Sequence, residues 1–406
     1  MYDKVKITVH RGSHQIGGCC TAIEYLSTRI LIDMGLPLPG YEHNELQIEG
    51  VTKGKTRCDG VFLTHYHGDH IGEVSKIITQ IPVYASSCTK EFIKAYQMRM
   101  GRNYPCNIDT DRIVAISNGE TVAIGDLKVR AIKADHSAAG AFMYLIEAGS
   151  KYILHTGDFR LHGRNRNRLL RDISDLREID LLITEGTTLS RDDSENWDEE
   201  SVTARIRNCV ERYKYCFVIT STSNIDRIQS ISEAVPRGKY FLMDDFQKKL
   251  LDIAVCSDEY VVKKPLVYGK NLQDKMIMKG FVMLIRESNA NIFDEYMAKY
   301  PDETCLIYSM WSGYLEHSGI KQLFDRAGKN RRIIHSSGHV ALNDLNEFID
   351  TIKPNRIVVI HTDTDIMEGL EKKQIVLSVR DEMPFFYKNI SNDKLFAKLR
   401  KHQKGI

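Results

Sequence analysis

The sequence predicts an α/β protein in which one sheet-rich unit is interrupted by a second, inserted α/β unit. Three observations carry this reading. Short β-rich runs separated by turn residues dominate the first 190 positions, helix and strand alternate from about Val202, and a strand and helix pattern returns after about Arg332.

The elements follow in order. Residues 6–9, 21–23 and 30–32 read as strands of one sheet joined by turns at Gly12 and Gly17-Gly18. Residues 59–64 form another strand, and His65 begins where its apolar run ends, ahead of a helix near Ile71. Further strands fall at 128–132, 141–147, 152–155 and 181–184, and three of these four lead directly into a His, Asp or Glu. The inserted unit then reads as a helix to about Arg212, strand 216–220, helix 225–234, strand 240–243 and helix 246–254, an alternation expected of a parallel sheet. A polar stretch at 190–196 and the run Gly328-Lys329-Asn330-Arg331-Arg332 mark the crossings. The expected division is therefore 1–195 for the first part, 196–331 for the insertion and 332–406 for the completing part, with a helix at 342–352 and a strand at 357–360.

Composition narrows the function classes. With 42% hydrophobic and 27% charged residues, the chain has the balance of a soluble globular enzyme, and disorder is excluded as the default. A formal net charge of +2 gives no global field for a polyanion, so any nucleic-acid contact must come from a local patch. The nine cysteines are odd in number, scattered and without a Cys-Xaa-Xaa-Cys pair, and are expected reduced and mostly packed. The first residues lack a signal-peptide pattern, and no apolar run nears the roughly 20 residues that span a bilayer, so the expectation is a cytoplasmic protein without a membrane partner.

The densest chemical signal is Thr64-His65-Tyr66-His67-Gly68-Asp69-His70, three imidazoles and a carboxylate on a loop at a strand's end. Neutral imidazole and carboxylate suit zinc, and the adjacent Gly68 lets neighbouring side chains fan apart. His136, Asp158 and His361 also stand at strand exits. Each alone has a bland reading as a turn or rim residue; their common placement favours a shared site.

These residues, with Asp135-His136-Ser137, Thr156-Gly157-Asp158-Phe159-Arg160, Ser223-Asn224-Ile225-Asp226-Arg227, Ser336-Ser337-Gly338-His339 and Ile360-His361-Thr362, resemble the metallo-β-lactamase fold and its β-CASP branch of nucleic-acid-processing nucleases. The resemblance covers nearly the whole chain. It implies an αββα metallo-β-lactamase sandwich with an inserted α/β β-CASP domain and two zinc ions, manganese being an alternative metal. One metal would take His65, His67 and His136 and the other Asp69, His70 and His361, with Asp158 and a hydroxide bridging them. The branch's own motifs fall on Glu185, His339 and His361.

Water activated between two metals can attack phosphorus without a protein nucleophile, and the remaining need is a proton for the leaving 3′-oxygen. His339 is the expected acid and Glu185 its orienting carboxylate, acting beside Asp69 and Asp158, with 5′-phosphate and 3′-hydroxyl products. Expected substrate contacts are Arg160 and Arg164 in the arginine-rich segment 160–168, Ser223, Asn224 and Arg227 at a helix start, and Ser337 with Gly338. The aromatic run Tyr308 to Tyr314 offers faces on which bases could stack, or a core.

Histidine at position 361 resembles the RNA-acting members, such as ribonuclease J and the cleavage-factor endonucleases, where DNA-acting members tend to have valine. Single-stranded RNA is therefore the expected partner. The alternatives are a DNA nuclease of the same family, a hydrolase of small esters or thioesters, and a non-catalytic scaffold. Homo-oligomerisation stays open. Two departures are Gln15, where many relatives carry an acid, and an end soon after the first unit is completed, without the additional carboxyl-terminal domain of typical ribonuclease J proteins.

Overall fold

The computed structural model describes residues 4–42, 44–191, 197–256, 260–269, 273–316, 318–364, 370 and 375–387. The expected boundary at 195/196 lies outside them, as does the tail beyond 387.

Two seven-stranded sheets face each other. The first runs in the order Phe385–Tyr387, Val5–Arg11, Cys20–Tyr25, Thr28–Ile32, Gly60–Phe62, Val83–Ser86, Ile113–Ile116. The second runs Ile375–Leu377, Arg356–Ile360, Leu181–Glu185, Lys151–His155, Phe142–Ala148, Leu127–Lys133, Thr121–Ile124. Period-2 alternation explains their pairing: Val5, Ile7 and Val9 from the first sheet pack on Val129, Tyr144, Ile146, Ile183 and Val358 from the second.

Helices cover the outer faces and complete the αββα sandwich. Leu342–Ile352 presents Leu345, Phe348, Ile349 and Ile352, spaced as one helical face, to the outer side of the second sheet. Ser87–Met100 is capped by Ser86, whose hydroxyl accepts from Thr89 N, and buries Phe92 and Ile93 against the first sheet.

The intervening segment forms a six-stranded parallel sheet, in the order Leu266–Val267, Tyr240–Met243, Phe281–Ile285, Tyr215–Ile219, Thr304–Tyr308, Arg331–Ile333. Its inner strands are buried throughout, as a sheet with helices on both faces requires. One reading changes here. Ile333, expected to belong to the returning part, ends a strand that pairs with Thr304–Tyr308, so the inserted sheet extends past residue 331.

The topology gathers the candidate site residues at one edge. Lys151–His155, Leu181–Glu185 and Arg356–Ile360 are parallel, and Leu127–Lys133 points the same way through two antiparallel steps. Glu185 ends its strand, His361 follows directly after Ile360, and His136 and Asp158 stand three residues beyond their strands. Among the described residues no helix is long and apolar enough to cross a membrane.

Candidate metal centre

The four strand exits and the loop after Gly60–Phe62 converge on one buried cluster. His65, His67 and His136 bring ligand atoms within 4.8 Å of one another, as do His65, His70 and Asp158. Hydrogen bonds on the far side of each ring decide which nitrogen carries the lone pair. The Nδ1 of His65 lies 3.1 Å from the Thr64 hydroxyl, which itself donates to Asp33, and His136 Nδ1 donates to the carbonyl of Gly338 at 2.8 Å. Both Nε2 atoms are thereby left as acceptors. They stand 3.0 and 3.5 Å from His67 Nδ1. Burial, the largest influence, drives all three imidazoles towards the neutral form: His67 falls to about 4, and His65 and His136 lie well below their ordinary value. Three neutral rings gathered in this way are able to hold a metal ion.

The second group fits a cation on the same argument. His70 Nδ1 donates to Asp33 at 2.8 Å, so a neutral His70 turns its Nε2 lone pair towards Asp158 Oδ2, 3.2 Å away. The two atoms make no hydrogen bond, and Asp158 Oδ1 is likewise buried without a partner. Two acceptors so placed repel unless a positive charge stands between them. Without a metal that charge is a proton: burial opposes it, but Asp158, Asp33 and Asp69 together raise His70 well above its usual value. A divalent cation can take the proton's place. His361 Nε2 adds to this group, 3.3 Å from Asp69 Oδ2 and 3.8 Å from Asp158 Oδ2, while its Nδ1 meets the Thr187 hydroxyl at 2.6 Å.

The backbone is strained where it serves this cluster. His361 and Asp33 sit at φ of 53° and 61°, a region costing non-glycine residues about 1–3 kcal/mol. Gly157 takes φ +55° next to Asp158, where a Cβ would come within 2.8 Å of Thr64.

His339 stands beside the carboxylates. Its Nδ1 donates to Glu185 Oε2 at 2.9 Å and lies 3.5 Å from Asp158 Oδ2. Glu185 is fixed by Phe159 N at 2.8 Å and by the Thr187 hydroxyl at 2.6 Å. Burial pulls His339 down, yet Glu185 and then Asp158 outweigh it and raise the imidazole to about 9. The ring keeps a quarter of its side-chain surface open, enough for a ligand to reach.

The expected substrate contacts divide. Arg160 and Arg227 are fully buried, so neither guanidinium is open to a phosphate. Arg160 pairs with Asp226 and Glu199, and Arg227 with Glu199, Ser309 and the carbonyl of Ser336. Both bind the inserted unit to the metal-bearing one. Arg164 bonds Ser230 and Glu233, each at 2.9 Å, and the expected basic loop is partly the helix Arg166–Ser174.

Asn224 caps the helix Ile225–Ala234 by accepting from Arg227 N, and the Ser223 carbonyl accepts from Tyr66. The Ser337 carbonyl accepts from Arg160, its hydroxyl accepts from His339 N, and the Gly338 carbonyl holds His136. Ser337 and Gly338 thus support His339 and His136 directly. In the aromatic run, Tyr308 is buried, whereas Trp311 is exposed beneath Arg191, whose guanidinium carbon lies 5.2 Å from the ring centre.

Sequence reasoning missed Asp33 and Thr187. Asp33 follows the apolar run Ile30-Leu31-Ile32, the same strand-exit signal that marked His65; nothing in the sequence marks Thr187. Asp33→Ala is expected to weaken metal binding by about 10–100-fold with the ligands intact, because His70 and Thr64 lose their common anchor; titration with a competing chelator measures it.

A paired-sheet sandwich with this donor set at one edge defines a metallo-β-lactamase-type centre. Residues 28–216 match the model described as "Beta-lactamase superfamily domain", and residues 325–375 that described as "Zn-dependent metallo-hydrolase RNA specificity domain". The two matches, both to metallo-hydrolase models, support a metallo-β-lactamase fold of the β-CASP kind. It is 23% identical over 370 residues to ribonuclease J of Sinorhizobium meliloti, a match spanning 82% of this chain and 63% of that protein. Ribonuclease J of Mycobacterium tuberculosis is 28% identical over 246 residues, spanning 57% of this chain and 42% of the relative. The human DNA cross-link repair 1A protein is 33% identical over 139 residues, 34% of this chain and 12% of its own length. This chain thus spans less than two thirds of the length of these relatives. A crystal structure of a protein of unknown function from Enterococcus faecalis V583 shares the fold, with a TM-score of 0.73 at 20% identity, covering 95% of this chain and all of that one.

Proposed function

We propose that this protein is a zinc-dependent ribonuclease that hydrolyses RNA phosphodiester bonds and leaves 5′-phosphate and 3′-hydroxyl ends. The observation that carries the reading is the His339–Glu185 pair, hydrogen-bonded at 2.9 Å within reach of the metal-ligand carboxylate Asp158. A thioesterase, whose thiolate departs without a proton, has no need of an added acid; a phosphodiesterase, whose leaving group is an alkoxide, does.

His65, His67 and His136 would hold one zinc, and Asp69, His70 and His361 the other, with Asp158 between them. When bound, the pair lowers the pKa of water towards neutrality and draws charge from the attacked phosphoryl group. The chain's own residues do the rest. Asp33 and Thr187 fix the rings of His70 and His361, and the Gly338 carbonyl fixes His136. His339, kept protonated by Glu185, gives its Nε2 proton to the departing 3′-oxygen. Ser337, accepting from His339 N, sets the approach of that ring to the substrate.

The names of the ribonuclease J relatives and the description of the model matched at 325–375 support RNA; the human DNA-repair relative makes DNA the second reading. The test is incubation of purified protein, before and after chelation, with end-labelled single-stranded RNA and matched DNA. The expected result is chelator-sensitive RNA cleavage restored by zinc. Cleavage of DNA alone selects the second reading, and cleavage of neither beside rapid thioester hydrolysis contradicts the proposal.

A further inference from the structure

Cys19 lies outside every role given so far. It sits at the turn after Gly17-Gly18, where its backbone N–H donates to the carbonyl of metal-ligand Asp69 at 3.0 Å and its carbonyl accepts from Gly35 N at 2.9 Å. Those two bonds lock it to the ligand loop. Its side chain is buried, and its sulfur lies within 4.8 Å of one ring nitrogen of His70 and one of His361, which are within the same distance of each other. The adjacent His70 Nε2 is itself buried and without a hydrogen bond.

We infer that Cys19 is a sulfur ligand of the second metal, which makes this half of the centre softer than the oxygen and nitrogen set of Asp69, His70, His361 and Asp158. The inference rests on the two-metal reading of the site. Binding a metal through sulfur would release the thiol proton to solvent and lower the net charge of the site by one, with no oxidant or reductant taking part. A thiolate favours zinc over manganese at this position more strongly than imidazole and carboxylate alone would.

The test is X-ray absorption at the zinc edge on the full chain loaded with two equivalents of zinc. The expected spectrum contains a sulfur shell at about 2.3 Å, close to one sulfur per two zincs. It should vanish in Cys19→Ser and persist in Cys256→Ser, which removes the exposed thiol. Circular dichroism and zinc content establish that the serine variant folds and loads; Cys19→Ala repeats the test if it does not. Wild-type spectra with only nitrogen and oxygen neighbours overturn the thiolate ligand while leaving the two-metal centre standing. So does a sulfur shell that survives loss of Cys19. Protein that retains no zinc overturns both.

Discussion

Replacing His339 by alanine is expected to slow RNA hydrolysis by about 10²–10⁴-fold while zinc content stays at the wild-type level. The two outcomes separate because the imidazole donates through Nδ1 to Glu185 and is not needed to complete either ligand group. Acidity sets a matching pH signature. Burial lowers the ring's pKa but Glu185 and Asp158 raise it, to about 9, so the acid stays protonated through neutral pH and is lost as pH rises past that value. A bound metal neutralises part of the Asp158 contribution; the Glu185 contribution remains. The wild-type rate should therefore fall on the alkaline side, and Glu185→Gln should move that fall to lower pH. A His339→Ala enzyme as fast as wild type, or one stripped of zinc, contradicts the assignment.

The second large effect concerns stability. Glu199 lies buried between the guanidinium groups of Arg160 and Arg227, and Asp226 completes the set. Burial alone would raise the Glu199 carboxyl, but Arg227 and Arg160 hold it far below its ordinary value, so it is charged throughout the neutral range. Its stabilisation is therefore present above the ordinary carboxylate range and is lost only as pH falls through the depressed folded value. Glu199→Ala leaves two buried cations short of a counter-charge and is expected to cost about 3–5 kcal/mol in urea unfolding. Arg166→Ala, which breaks an exposed pair with Glu347, is expected to cost less than about 1 kcal/mol. Equal costs would show that the buried network does not join the two units.

That network also marks where the sequence is hardest to read. The clustering of His65 to His70 was legible because these residues are close in sequence and stand at a strand's end. Asp158 and His361 were legible by the same end-of-strand rule, since parallel strands deliver their carboxyl ends to one edge. Arg160 was misread as a phosphate contact because its partners, Glu199 and Asp226, are 39 and 66 residues away, and burial by so distant a partner leaves no local trace. Arg227 fails for the same reason.

Asp33 is a different case. It obeys the end-of-strand rule, yet a single carboxylate after an apolar run looks like a turn until His70 is seen against it. The short strands Ile375–Leu377 and Phe385–Tyr387, one at the edge of each sheet, were not readable from three-residue runs. His339 and Glu185 were reached through family resemblance, and their contact at 2.9 Å across 154 residues is a fact of the fold.

The most direct test of the central claim compares two RNA substrates that differ at one atom. In one, the leaving 3′-oxygen is replaced by sulfur, whose thiolate departs without needing a proton. If His339 is the acid, the His339→Ala deficit of about 10²–10⁴-fold on ordinary RNA should nearly disappear on the sulfur-bridged substrate, under single-turnover conditions with zinc present. A deficit of the same size on both substrates would mean that His339 does not protonate the leaving group.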